Sequence, residues 1–486
     1  MQKKTDKSVK SVAQVAQVDK SAMSENPIPE NKMGTMDINP LLLSMSIPMM
    51  ISMLIQALYN IVDSIFVSRV CEEAFTAVSL VFPIQTLVVA LVGGTGIGVG
   101  TVLSHALGEK KFDKVNSVAM TGIFLTAIYF LVFVLVGIFV SKPFFILQTD
   151  DSLIVKYGID YMQIIMIASL GVCTQFIFER LLISTGKSFY SMITQTTGAI
   201  INIVLDPIFI FGVNIKGVQI VPRLEAKGAA IATVIGQFVA GFMAIIFNYT
   251  KNHEIKFKFR GFKMESFIVG QVYKIGIPTI IMQAIGSVMV FGFNKILLGF
   301  TSTAAAVFGA YFKLQSFFFM PVFGLNNGMV PIVAYNYGAQ KQKRIISTMK
   351  FAMLYAGIIM FLGFLAFQLL PKQLLAIFHA SDKMLEMGVP ALRIISVHFL
   401  ICWFCIISGS VCQALGKAFF SMITSLLRQL IVLLPAAYLL SLTGKINAVW
   451  WSFPIAEAVS LIVSTVFLVI TYKKIIKPIG QTDTAM

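Results

Sequence analysis

Apolar residues dominate the chain in long blocks from Leu41 to Tyr472, and short polar stretches interrupt them. A helix needs ~20 apolar residues to cross a bilayer. The blocks therefore predict twelve spans: residues 40–68, 76–106, 115–140, 153–178, 189–212, 228–250, 268–299, 304–336, 346–370, 385–412, 419–442 and 446–472. No run alternates apolar and polar positions as a membrane β-barrel strand does. The expectation is an all-α membrane protein.

The twelve runs fall into two sets of six that resemble each other. GKSFYSMIT at 186–194 returns as GKAFFSMIT at 416–424, and the same spacing of 230 links Pro48 to Pro278 and Gln85 to Gln315. It also links Gly94 to Gly324, Gly98 to Gly328 and Gly108 to Gly338. An internal repeat in so apolar a chain points to a transporter built from two similar halves, whose ligand sites lie between or within them near the bilayer midplane. The divisions that follow are a polar cytoplasmic tail at 1–36, a first bundle at 37–250, a basic linker at 251–267, a second bundle at 268–474 and a tail at 475–486. The first tail lacks the apolar core of a secretory signal and has the composition of a disordered segment. Pro48 and Pro278 each remove a backbone hydrogen bond early in the first helix of their half and permit a bend there. The Gly94, Gly98, Gly324 and Gly328 spacings suit close helix contact.

Composition sharpens this picture. Of 486 residues 57% are hydrophobic and 12% charged, with net charge +16; soluble domains carry roughly 25% charged residues. The excess charge is not a nucleic-acid signal. It collects in alternate loops (Lys110, Lys111 and Lys114; Lys251, Lys256, Lys258 and Arg260; Lys341, Lys343 and Arg344; Lys473, Lys474 and Lys477), while Glu72, Glu73, Asp150 and Asp151 mark the opposite side. That asymmetry places both termini in the cytoplasm. Ser184-Thr185-Gly186-Lys187-Ser188 mimics the end of a phosphate-binding loop, but Leu181 stands where its first glycine belongs, so nucleotide chemistry and an enzyme are not expected. Cys402 and Cys405 form a CxxC without a second pair and are expected to pack as small apolar residues.

Ionisable side chains within spans cost ~2.5 kcal/mol or more at the bilayer centre and are functional candidates. Asp63 lies roughly 33 Å along the first helix and Asp206 roughly 26 Å along the fifth, at ~1.5 Å per residue, so they reach similar depth in the outer half of the membrane. Asn202 shares a helix face with Asp206. Pro207 leaves the Ile203 carbonyl without its N–H partner, and Thr233 sits at matching depth on the sixth helix. Oxygen donors of these kinds suit a hard cation, and two buried carboxylates close together also suit proton binding. The structural alternative is a helix cap at Asp206 and a lysine partner for Asp63. In the second half Lys295, Lys313, Arg393, His398, Arg428 and Glu457 stand in or near spans. His398 is expected to be a packed core histidine, and Lys313 with Glu457 is a candidate ion pair. Glu457 aligns with Gln237 once the shorter outer loop is allowed for.

These residues resemble the MATE (multidrug and toxic compound extrusion) family. The resemblance rests on SIPMM at 46–50, LYNIVD at 58–63, AVSLVFP at 77–83, the glycine-rich stretch at 94–108, and above all NIVLDPIFIFG at 202–212 with GAAIAT at 228–233. It implies twelve transmembrane helices in two pseudo-symmetric six-helix bundles around a central cleft, and alternating access. The function implied is efflux of mostly cationic amphipathic compounds against Na⁺ or H⁺, relevant to antibiotic resistance. The cation site implied is Asp63, Asn202, Asp206, Ala229 (through its carbonyl) and Thr233, with Na⁺ as a possible metal there and no other cofactor. Pro48 and Pro207 are conformational candidates; Asn60, Glu179, Gln175 and Gln56 are candidates for the substrate cavity. Lys187 and Glu179 depart from the family pattern, and the acids of its other branch have no clear match. The expected setting is a monomer in the inner membrane of a prokaryote, contacting lipid and small organic cations. The rival is a flippase for a lipid-linked oligosaccharide, which would use Lys295, Lys313 and Arg428 for phosphate.

Overall fold

A computed structural model of the chain describes residues 30–215, 218–258, 260–378 and 380–482. Twelve spans follow one another as α1 (Ile38–Ser68), α2 (Glu72–Gly108), α3 (Phe112–Phe139), α4 (Ser152–Ile167 with Leu170–Ser184), α5 (Ser188–Phe211) and α6 (Ala226–Lys251). The second half gives α7 (Ser266–Leu298), α8 (Ser302–Gly338), α9 (Gln342–Leu369), α10 (Asp382–Ser396 with Phe399–Ala414), α11 (Ala418–Ser441) and α12 (Ile446–Ile479). The expected tail at 1–36 lies outside the described residues up to 29; its end, Lys32–Thr35, is a helical turn with Met33 buried. Helix also continues past residue 474 into the expected C-terminal tail.

The repeat is carried into local structure. Short helices Ser141–Ile146 and Pro371–Ala376 occupy matching places. α4 and α10 are each broken near their middle, by 45° and 48°, a bend the apolar pattern does not announce. Gly186 and Gly416 both take positive φ, 86° and 75°, at the turn into α5 and α11, a backbone region that L side chains disfavour. The halves differ outside the repeat: a hairpin of β1 (Val213–Ile215) and β2 (Val218–Val221) precedes α6. Large apolar side chains such as Phe242, Phe291 and Ile462 are exposed, as a bilayer solvent allows.

The halves interlock. α1 packs along α8, and α2 along α7, with the glycines as the contact points. A Cβ on Gly324 would lie 2.5 Å from Met50 Cα, and one on Gly94 would lie 3.0 Å from Ile280 N. Met50 and Ile280 are themselves repeat mates, each two residues past the proline of its helix. Gly328 approaches Ser46, and Gly98 approaches Gly276, again mates. Gly108 and Gly338 close the same seam against Tyr335 and His105. The seam therefore runs along the face where α1 begins and α2 ends. Just beyond it, Arg344 Nη2 donates to the carbonyls of Met36 (2.6 Å) and Met33 (3.1 Å), and Asn336 Nδ2 donates to Met33 O at 3.0 Å. The segment leading into the first half is thus strapped onto the second.

Candidate functional site

α1 and α5 lie side by side and bring Asp63 and Asp206 close enough to interact electrostatically. Asp206 is fully buried and Asn202 is 3% exposed. The Asn202 amide donates to Asp206 Oδ2 at 3.3 Å and accepts from Thr233 Oγ1 at 3.2 Å. Ala229, also buried, sits one turn before Thr233 on α6. Asp63 Oδ1 is buried with no hydrogen-bond partner. Neither carboxylate has a Lys, Arg or His within ion-pair distance among the described residues, so the lysine partner and simple cap alternatives have no support. Tyr59 and Tyr161 also lie within electrostatic reach of both acids. Sequence reasoning missed them because a tyrosine in an apolar helix carries no distinguishing pattern.

Next to this cluster is a cavity of about 150 Å³. Gln56, Gln175 and Glu179 line it, together with Tyr59, Asn202 and Thr233. Asn60 does not: it is exposed, because consecutive helical residues point about 100° apart and Tyr59 holds the cavity side. Glu179 is 4% exposed. It accepts from Gln175 Nε2 (3.1 Å), Thr194 Oγ1 (2.8 Å) and Gln195 Nε2 (2.8 Å). Three donors hold this carboxyl group in place. Its neighbour Arg180 reaches across the halves to Asn327 Oδ1 at 3.3 Å. Lys187, the departure from the family pattern, pairs with Glu254 at 2.9 Å and ties the turn before α5 to the linker.

In the second half Glu457 pairs with Arg428 (3.4 Å) and approaches His398 Nδ1 (3.8 Å), not Lys313. Lys313 and Lys295 are exposed; their long side chains reach away from the core. His398 is packed against Phe319, Phe399 and Phe453. All five cysteines are free.

Twelve spans in two interlocked bundles with a polar cavity inside form the architecture of a two-half membrane transporter. The profile of the MatE family matches residues 48–208 and 278–439, once in each half, and the chain belongs to that family. It is 26% identical over 415 residues to the multidrug export protein MepA of Staphylococcus haemolyticus, covering 85% of this chain and 89% of that protein. MepA of Staphylococcus aureus strain MRSA252 is 25% identical over 414 residues, with 85% and 89% coverage. Among solved structures, an outward-facing multidrug resistance MATE transporter of the MOP superfamily superposes with TM-score 0.85 at 22% identity, over 94% of this chain and all of that one. A MATE solved in its bent conformation superposes with TM-score 0.84 at 21% identity, again over 94% and 100%.

Proposed function

We propose that the protein is a cation-coupled antiporter of the inner membrane of a prokaryote, with both termini cytoplasmic, that exports organic and mostly cationic amphipathic compounds. The observation that carries the reading is the nearness of Asp63 to Asp206 with no basic partner among the described residues, beside a cavity that holds a third acid, Glu179. The buried Asp206 carboxylate costs several kcal/mol without compensation, the half-buried Asp63 adds to it, and a Na⁺ or a proton supplies the compensation. Asp63 Oδ1, Asp206, the Asn202 amide oxygen, Thr233 and the carbonyls of Ala229 and Ile203 offer oxygen donors only, the chemistry a hard cation takes. The cation enters from outside and is held at this site. It alters α1 around Pro48, where the seam with Gly324 and Gly328 lies, and weakens the hold on substrate. Drug-sized ligands fill ~300–1,000 Å³, so substrate widens the cleft as it binds, with Glu179 as counter-charge. The MepA names support multidrug export as the activity. Against the flippase, Lys295 and Lys313 are exposed and Arg428 is engaged with Glu457, while the basic residue that lines the cavity, Arg180, adjoins the acid Glu179.

Ethidium efflux from proteoliposomes under an imposed Na⁺ or H⁺ gradient tests the reading. Asp63→Asn and Asp206→Asn are each expected to abolish gradient-driven movement. Wild-type rates in both variants would defeat it.

A further inference from the structure

The second half has buried polar residues at places where the first half has mostly small or apolar ones. α6 and α12 begin at Ala226 and Ile446, so Glu457 stands where Gln237 does, and Ser460 and Ser464 where Ala240 and Ala244 do. With the spacing of 230 kept by α5 and α11, Arg428 replaces Gly198. On α10 His398 replaces Ala168 and Ser408 replaces Phe178. The first half therefore shows that the fold closes with small or apolar residues at most of these places. Yet Ser408, Ser460 and Ser464 are at most 4% exposed and Glu457 is 2% exposed. Ser408 Oγ has no hydrogen-bond partner, a cost of ~1–3 kcal/mol, and Ser460 Oγ, Ser464 Oγ and Glu457 Oε1 have no nitrogen or oxygen partner, only the weakly bonding Cys405 thiol beside them. Arg428 lies on a π-helical stretch, Leu427–Leu433, inside α11; such stretches are rare and cluster at functional sites.

Hydrogen-bond directions give the cluster its chemistry. The single Tyr311 hydroxyl proton goes to Gln315 Oε1 at 2.7 Å. The 3.1 Å contact between Tyr311 and His398 Nε2 therefore has the imidazole N–H as donor. A neutral His398 then has a bare Nδ1, and it faces Glu457 Oε2 at 3.8 Å. Two acceptors face each other there, and one proton between them resolves the conflict. The groups around Glu457 are Arg428 from α11, His398, Cys402 and Cys405 from α10, and Tyr311 from α8. Below it Ser460 and Ser464 continue on the same face of α12, with Ser408 on the packed helix α10. Cys412 Sγ and Thr471 Oγ1, 3.5 Å apart and buried, lie farther along the same two helices, about 21 Å from Glu457 at ~1.5 Å per residue, toward the face where α1 begins.

We propose that the second half carries a proton site of its own at His398 and Glu457, reached from that face through Ser464, Ser460 and Ser408. The proton leaves water at the face, passes along these serines and forms an O–H bond at the Glu457 carboxyl, shared with His398 Nδ1. Arg428 is released from its partner as that charge is neutralised. The proposal rests on the coupled-antiporter reading only for its use; the site is testable apart from transport.

Full-length protein in lipid is titrated by infrared difference spectroscopy, reading the C=O stretch of protonated carboxyls. The expected result is a titrating band that persists in Asp63→Asn/Asp206→Asn, disappears in Glu457→Gln, and shifts its midpoint in His398→Asn. Ser460→Ala/Ser464→Ala, which restores the residues of the first half and should fold, is expected to slow hydrogen–deuterium exchange of that band at least tenfold. An unchanged set of bands in Glu457→Gln overturns the site, and so does an unmoved midpoint in His398→Asn should Glu457→Gln not fold. A wild-type exchange rate in the serine variant overturns the path. Wild-type efflux by the Asp63 and Asp206 variants would instead defeat the coupling reading and leave the Glu457 band untouched.

Discussion

Replacing Gly324 by alanine puts a methyl group where the α1 backbone already lies. Its Cβ would stand 2.5 Å from Met50 Cα, 2.6 Å from Met50 N and 2.8 Å from Met49 C, while ordinary contact begins at 3.4 Å. All three atoms are backbone, so no rotamer change relieves the overlap and α8 must move from α1 by nearly 1 Å. Overpacking of this kind costs ~1–3 kcal/mol, and the cost falls only on the arrangement in which this seam is closed. A difference of that size moves a two-state population ~5–150-fold, here toward the arrangement with the halves apart at this face. The mate, Gly94→Ala, first meets the Ile280 side chain, with backbone N at 3.0 Å; a side chain can yield, so its effect should be smaller. Spin labels at Asp113 and Lys343, exposed mates at the starts of α3 and α9, report the separation by pulsed electron resonance in a background with Cys71 replaced. Gly324→Ala should enrich the long-distance population well beyond Gly94→Ala. An unchanged distance distribution, or equal effects of the two variants, would refute the seam as the structural switch.

Glu179→Gln should weaken binding of monovalent cationic dyes about 10–100-fold, at ~1.4 kcal/mol per tenfold. It should leave a neutral ligand of similar size nearly unaffected; fluorescence titration measures both, and an equal loss for the neutral ligand contradicts a charge role. Gly416 has φ 75° and nothing within 4 Å of a built Cβ. Gly416→Ala should therefore cost ~1–2 kcal/mol from backbone strain alone, and Gly416→Asn less, read as loss of thermal stability in detergent. Arg344→Ala removes both carbonyl contacts to the segment before α1. It should raise protease cleavage near Met36 without lowering ethidium affinity, and unchanged cleavage would count against the strap.

The place of the acid pair could be reasoned from the chain because helix rise is constant: counting residues puts Asp63 and Asp206 at one depth, and neighbouring helices do the rest. Glu179 was legible as an acid in a span but not as a cavity wall, since two of its three donors, Thr194 and Gln195, come from the next helix. The repeat offers a hint there. Gln175, Glu179 and Gln195 match Cys405, Gly409 and Ser425, so the halves part company where polar contacts gather. Lys313 was the wrong candidate partner for Glu457 because partner choice depends on rotation about the helix axis, which a single span's apolar pattern leaves open.

Apolar run length settled that the chain crosses a bilayer about twelve times, and a constant spacing of 230 residues settled that it does so as two related halves. Both are one-dimensional properties, written along the chain by the thickness of the hydrocarbon and by the repeat. Which glycine meets which backbone, which base meets Glu457, and where α4 and α10 bend were decided only when helices far apart in sequence packed. The reason is physical: lipid rewards every apolar face alike, so the choice of neighbour comes from close fit and polar pairing in three dimensions.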